Sequence, residues 1–159
     1  MFLDFIPFFD DGEKTQSGSI DSVSVKPELQ YEILSVLNST LFYYVYMVTS
    51  DCRNLTKSCI DFFKYRPSSD DIKKELSRLG KELEIDVKSK TVMREERLKT
   101  GAIRKVEIFS RYSESKHIID DIDAVLAQHY HLSPAELDFV VNFDIKYRMG
   151  DSLNSEIED

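Results

Sequence analysis

Glycine and proline are scarce, with 5 and 4 residues in a chain of 159. That excludes a collagen-like or low-complexity chain. Cysteine occurs only at Cys52 and Cys59, too few for a disulfide framework. Two free thiols suit a reducing compartment, so a cytoplasmic location is expected. No apolar run approaches the ~18–20 residues of a membrane helix. The N-terminal segment Met1–Phe9 has no basic stretch and no small-residue cleavage site, so it is not read as a signal peptide. Base is in deficit: 21 Lys+Arg against 29 Asp+Glu leave a net charge of −8. That argues against a free-standing, non-specific nucleic-acid binder but leaves room for a local basic patch.

Several chemistries also lack their residues. Neither a G-x-G-x-x-G nor a G-x-x-x-x-G-K-S/T loop is present, and Gly12 and Gly18 are too isolated to cradle a nucleotide. No cofactor is expected in this chain. There is no C-x-x-C and no H-x-x-x-H, so a closed zinc site lacks its ligand pairs and no metal site is expected. Spacing gives Cys52 no partner histidine, and it reads as a structural thiol. Asp86-Val87-Lys88 is a D-x-K triplet with Asp70 and Asp71 upstream. A metal-dependent nuclease would need Asp71, Asp86 and Lys88 to converge on one ion. The plainer reading is a solvated face, with acids at a helix N-terminus.

What is present is a core. Hydrophobic residues make up 42% of the chain and aromatics 11%, enough for one domain over residues 1–150. Residues 2–9 and 20–25 read as strands. Pro27 opens a helix over 27–49, with Leu29, Ile33, Val36, Leu37, Leu41, Tyr44, Val45 and Val48 at helical spacing. Thr56 can cap a short helix carrying Cys59, Ile60 and Phe63. A charged helix over 69–85 carries the stripe Ile72, Leu76, Leu79 and Leu83, the pattern of a surface or paired helix. Thr100-Gly101 marks a turn, and a strand is expected over 104–110. Helices follow over 115–130 and 133–147, the latter opened by the capping box Ser133-Pro134-Ala135-Glu136. Residues 151–159 carry four acids and no base, and read as a disordered acidic tail. The expected class is α+β: a mostly helical single domain packed around a small β-sheet.

Charge is uneven. Residues 86–105 carry a net +4 within a chain of −8. Arg53, Asn54 and Lys57 follow the first long helix at a break. Arg can pair with guanine and Asn with adenine in a major groove, or both can bind helix ends. Arg94, Arg97, Lys99 and Arg104 suit phosphate contact.

Two segments resemble a known family. One is Leu37-Asn38-Ser39-Thr40-Leu41-Phe42-Tyr43 running into Ser50-Asp51-Cys52-Arg53-Asn54-Leu55-Thr56-Lys57. The other runs from Ser115 through Asp123 and closes on Glu136-Leu137-Asp138-Phe139, then Asn142-Phe143-Asp144-Ile145-Lys146-Tyr147-Arg148-Met149-Gly150. Together they resemble the C-terminal, target-recognition region of bacterial N6-adenine DNA methyltransferases of type II restriction-modification systems, including enzymes fused to an endonuclease. The family's Asn-Pro-Pro-Tyr motif and methyl-donor loop are absent. Cys52 stands where the family commonly has glycine. The resemblance implies a detached C-terminal piece or a subunit of a split enzyme, with no catalysis of its own. It implies DNA and a methyltransferase catalytic domain as partners, and DNA contact through Arg53, Asn54, Lys57, Arg94, Arg97, Lys99 and Arg104. The rival expectation is a docking module without DNA contact. In it, Phe42, Tyr43, Tyr44 and Tyr46 and the Ile72/Leu76/Leu79/Leu83 stripe bind the catalytic domain or a second copy of the chain.

Overall fold

The computed structural model describes residues 24–148 apart from 54, 67–68, 91, 98, 100, 102, 109–111 and 146–147. A short 3-10 turn at Pro27–Leu29 leads into α1 (Gln30–Asn38) and α2 (Thr40–Thr49). Next come α3 (Lys57–Phe63) and the long α4 (Asp70–Lys90). A hairpin of β1 (Val92–Arg97) and β2 (Ile103–Ile108) separates α4 from α5 (Lys116–Tyr130), and α6 (Pro134–Asn142) follows.

The core lies between α1, α4 and α5. It is built from Val36, Leu76, Leu79, Leu83, Val87, Ile118, Ile119, Ile122 and Leu126, each almost wholly buried. Burying a side chain of this kind stabilises the fold by about 1.5–3 kcal/mol. The leucine stripe of α4 is therefore core. It is not the docking face that its narrow period suggested. Phe42, Tyr43 and Tyr46 are also buried, so most of the aromatic set expected to dock is likewise internal.

The backbones of α1 and α4 come close at Gly80. A Cβ there would lie 2.3 Å from the Tyr31 carbonyl oxygen and 2.8 Å from Ser35 Oγ. The same contact lets Ser35 Oγ donate to the Leu76 carbonyl at 2.6 Å. Gly80 is where two helices need the absence of a side chain.

The α+β expectation is corrected. Among the described residues the packed layers are helical, and the class is all-α. Among the described residues the strands are β1 and β2, which pair only with each other. The pairing runs antiparallel from Val92↔Ile108 to Arg97↔Ile103. The strand expected at 104–110 is β2, shifted to 103–108. Residues 24–25 belong to no element. The expected strands at 2–9 and 20–23 and the tail at 151–159 lie outside the described residues.

Helix boundaries move for local reasons. The helix expected over 27–49 breaks at Ser39, whose backbone is extended at φ −71° and ψ 153°. Its hydroxyl donates to the Val36 carbonyl at 2.7 Å and accepts from Phe42 N–H at 3.0 Å. One side chain thus closes α1 and caps α2. The charged helix runs on to Lys90, past the expected end at 85. The helix expected over 133–147 is interrupted: α6 ends at Asn142 and Asp144 adopts φ 55°, while residues 145 and 148 are again helical. The Ser133–Glu136 capping box forms as read.

Candidate nucleic-acid interface

A buried polar centre holds α2 in place. Asp123 lies on the core side of α5, 1% exposed. Its carboxylate accepts from Thr40 N–H at 3.2 Å and Leu41 N–H at 3.1 Å, the free donors at the start of α2. Burial pushes its pKa up to about 7, against the lowering effect of the Thr40 hydroxyl and these two amides. Arg148 approaches from the chain's end. It donates to Thr40 Oγ1 at 2.7 Å and to the Phe143 carbonyl at 2.9 Å, with its guanidinium over the Tyr43 ring at 5.3 Å. Burial lowers its pKa to about 10, so it stays charged at neutral pH. Tyr43 Oη donates to Asp144 at 3.0 Å. The two segments that carry the family resemblance thus meet here, Thr40 and Tyr43 from one, Asp123, Asp144 and Arg148 from the other.

α2 fixed in this way presents the loop that follows it. Cys52 sits in the left-handed region at φ 56°, a conformation suited to glycine. Its N–H donates to Ser50 Oγ at 3.1 Å, and Arg53 N–H donates to Asp51 Oδ1 at 3.1 Å. These two local turns set the loop's shape and leave the Arg53 side chain exposed. Lys57, the first residue of α3, is also exposed. Asn54 lies outside the described residues.

The remaining expected contacts ride on the hairpin. Arg94 is in β1 and Arg104 in β2, Arg97 ends β1, and Lys99 lies in the turn. Arg97 and Lys99 are exposed. In the register Arg94 pairs with Val106, Arg104 with Glu96 and Arg97 with Ile103. Arg53 and Lys57 therefore form one set at the end of α2. Arg94, Arg97, Lys99 and Arg104 form a second on the separate element between α4 and α5.

The nuclease arrangement does not form. Asp71 and Asp86 lie on one continuous helix, fifteen residues apart, a separation of about 22 Å. Asp86 instead accepts from Lys90 Nζ and Ser115 Oγ, both at 2.7 Å. Partial burial opposes these bonds, yet they hold its carboxyl below the usual range. Lys88 pairs with Glu84 at 2.6 Å. Among the described residues, no three His, Cys, Asp or Glu side chains gather as metal ligands. No helix there is long and apolar enough to cross a membrane.

Sequence reasoning passed over Asp123, Asp144 and Arg148 as positioning groups. A signal for Asp123 was present, since an acid follows Ile119 by four residues and precedes Leu126 by three, on an otherwise apolar face. Arg148 and Asp144 had no local signal. No protein-family model, curated protein or solved structure matches the chain.

Proposed function

We propose that this chain is a non-catalytic DNA target-recognition module of an N6-adenine DNA methyltransferase of the restriction-modification type, working in a reducing cytoplasm beside a catalytic domain. The observation that carries this reading is the convergence of the two resembling segments on one buried centre, with Asp123 and Arg148 both bonded to Thr40 at the start of α2. The strings behave as one structural unit whose outward product is the loop bearing Arg53 and Lys57. The left-handed Cys52 adds support, because it occupies a position where the resembling family commonly has glycine. A net charge of −8 fits a module that relies on a catalytic partner for most phosphate contacts.

The test is salt-dependent binding to duplex DNA, by the chain alone and with a catalytic domain of this methyltransferase class added. Binding is expected to be weak alone, to strengthen with the partner, and to fall as salt rises. Absence of binding in both arms sinks the reading.

A docking role has one observation in its favour. Phe139 is 55% and Val48 56% exposed, and Phe139 meets Tyr44 edge-on at 5.6 Å. Val48 lies one helical turn from Tyr44, so α2 and α6 share an apolar face. Capture of the catalytic domain that survives charge reversal at Arg53 and Lys57 but not Phe139→Glu would favour this role.

A further inference from the structure

The chain's two cysteines come together at one end of α2. α3 packs back along α2, and the Phe63 and Phe42 rings meet edge-on at 5.3 Å, at the ends of the two helices far from the loop that joins them. Tyr46 lies one helical turn after Phe42, and Cys59 lies one turn before Phe63. Residues one turn apart share a helix face, so this antiparallel pair sets Cys59 beside Tyr46. Cys52 folds back toward the same place. Its Sγ faces the Met47 carbonyl at 3.6 Å and the Ser50 carbonyl at 3.7 Å, and accepts from Ser50 Oγ at 3.9 Å. The Tyr46 hydroxyl feels both sulfurs. Burial raises its pKa, Ser50 lowers it, and Cys52, Cys59 and Asp51 raise it again.

Neither thiol fills the core. Both are half-buried, and Cys59 Sγ rests against Thr56 Oγ1 at 3.2 Å. A cysteine kept only for packing is usually fully buried. Cys52 instead occupies a turn at φ 56°, where a side chain is strained and glycine would fit without cost. Seven positions separate the two cysteines. A disulfide brings its Cα atoms to about 4.4–6.8 Å. Arg53 and residues 55–58 between them are exposed, outside the packed core, and can take up that adjustment.

We propose that Cys52 and Cys59 are a reversible redox modification site, joined as a disulfide by exchange with a low-molecular-weight disulfide, which pins the stretch carrying Arg53 and Lys57 against the end of α2. One cysteine thiolate attacks a sulfur of the small disulfide, forming a mixed disulfide and releasing one small thiolate. The other cysteine, as thiolate, attacks the protein sulfur of the mixed disulfide. The Cys52–Cys59 bond forms and the second small thiolate leaves. Two electrons pass from the protein sulfurs to the small molecule, and the two cysteine protons end on its thiols. Excess small thiol reverses both steps. The disulfide forms whether or not the loop reads DNA.

The experiment equilibrates the full chain with reduced and oxidised glutathione, folded and in urea, then quenches with acid and weighs tryptic peptides without reduction. Trypsin cuts after Arg53 and Lys57, so Cys52 and Cys59 fall on separate peptides unless a disulfide joins them. The joined peptide is expected, and it should vanish in Cys52→Gly and in Cys59→Ser. Its equilibrium constant should be at least ~tenfold larger folded than in urea, because the fold holds the thiols near each other. Equal constants would show that the fold does not bring them together, and the proposal falls. Mixed disulfides or chain-to-chain dimers in place of the joined peptide overturn it as well. Limited digestion of the folded chain reads the pinning: cleavage after Arg53 and Lys57 should slow at least ~tenfold on oxidation. Unchanged cleavage in the oxidised chain would overturn the pinning. Cys52→Gly suits the left-handed turn and should keep the circular dichroism of the parent, so its loss of the joined peptide is not a failure to fold.

Discussion

The helical core and the hairpin between α4 and α5 are held by opposite means. The core is held by burial and by hydrogen bonds spanning long stretches of chain, such as Arg148 to Thr40 across 108 residues. The hairpin is held by pairing between neighbours in sequence. One region therefore resists change in its interior, and the other tolerates change but depends on what it touches. The same sequence makes a scaffold whose residues are fixed by packing and a ribbon whose shape is settled by local pairing.

The largest effect should come from the core. Leu83→Ala removes a fully buried side chain and should cost about 2–5 kcal/mol in urea unfolding. A loss below ~1 kcal/mol would mean that α4 is not the centre of the fold.

Next is the buried carboxylate. Asp123→Ala leaves the Thr40 and Leu41 amides without their acceptor and should cost about 2–3 kcal/mol. The pH dependence follows from the raised pKa of about 7. The folded state holds this proton more tightly than the unfolded chain does, whose Asp titrates near 4. The contribution is therefore fully present below about pH 4 and is lost as pH rises through about 7. Asp123→Asn should flatten that part of the stability profile. An unchanged slope between pH 4 and 7 would show that another group sets it.

Gly80→Ala should come third. Alanine normally gains up to about 1 kcal/mol over glycine inside a helix. Here its Cβ would meet the Tyr31 carbonyl oxygen at 2.3 Å, and backbone cannot swing aside. A net loss of about 1–3 kcal/mol is expected in the same assay. Stabilisation would mean that α1 and α4 pack less closely than this.

The smallest effect should be at the hairpin. Arg97→Glu/Lys99→Glu should change core stability by less than about 0.5 kcal/mol. The amides of β1 and β2 should exchange with deuterium well before those of α4 and α5. Equal protection in both regions would erase the contrast.

Legibility followed the distance over which each feature is decided. The Ser133–Glu136 capping box and the α5 face from Ile118 to Leu126 were readable, because each is settled within a few residues. The Ser39 break was not, since apolar spacing continues across it and only the Asn38-Ser39-Thr40 triplet hints at a cap. β1 was missed because Arg94-Glu95-Glu96-Arg97 shows no alternation; its identity comes from pairing with β2. Of the expected DNA contacts, the exposure of Arg53, Lys57, Arg97 and Lys99 followed from charge. Their division between a loop and a ribbon did not.

The sequence by itself determined where helical segments lie, the Ser133–Glu136 cap, the apolar stripe of α4 and the local excess of base, because periodicity and capping act over one or two turns. Only the tertiary structure decided that the stripe is buried, that Gly80 marks a close helix crossing, and that Asp123 and Arg148 meet at Thr40. Those outcomes depend on which surfaces face each other across 41 to 108 residues, and no local pattern encodes that choice.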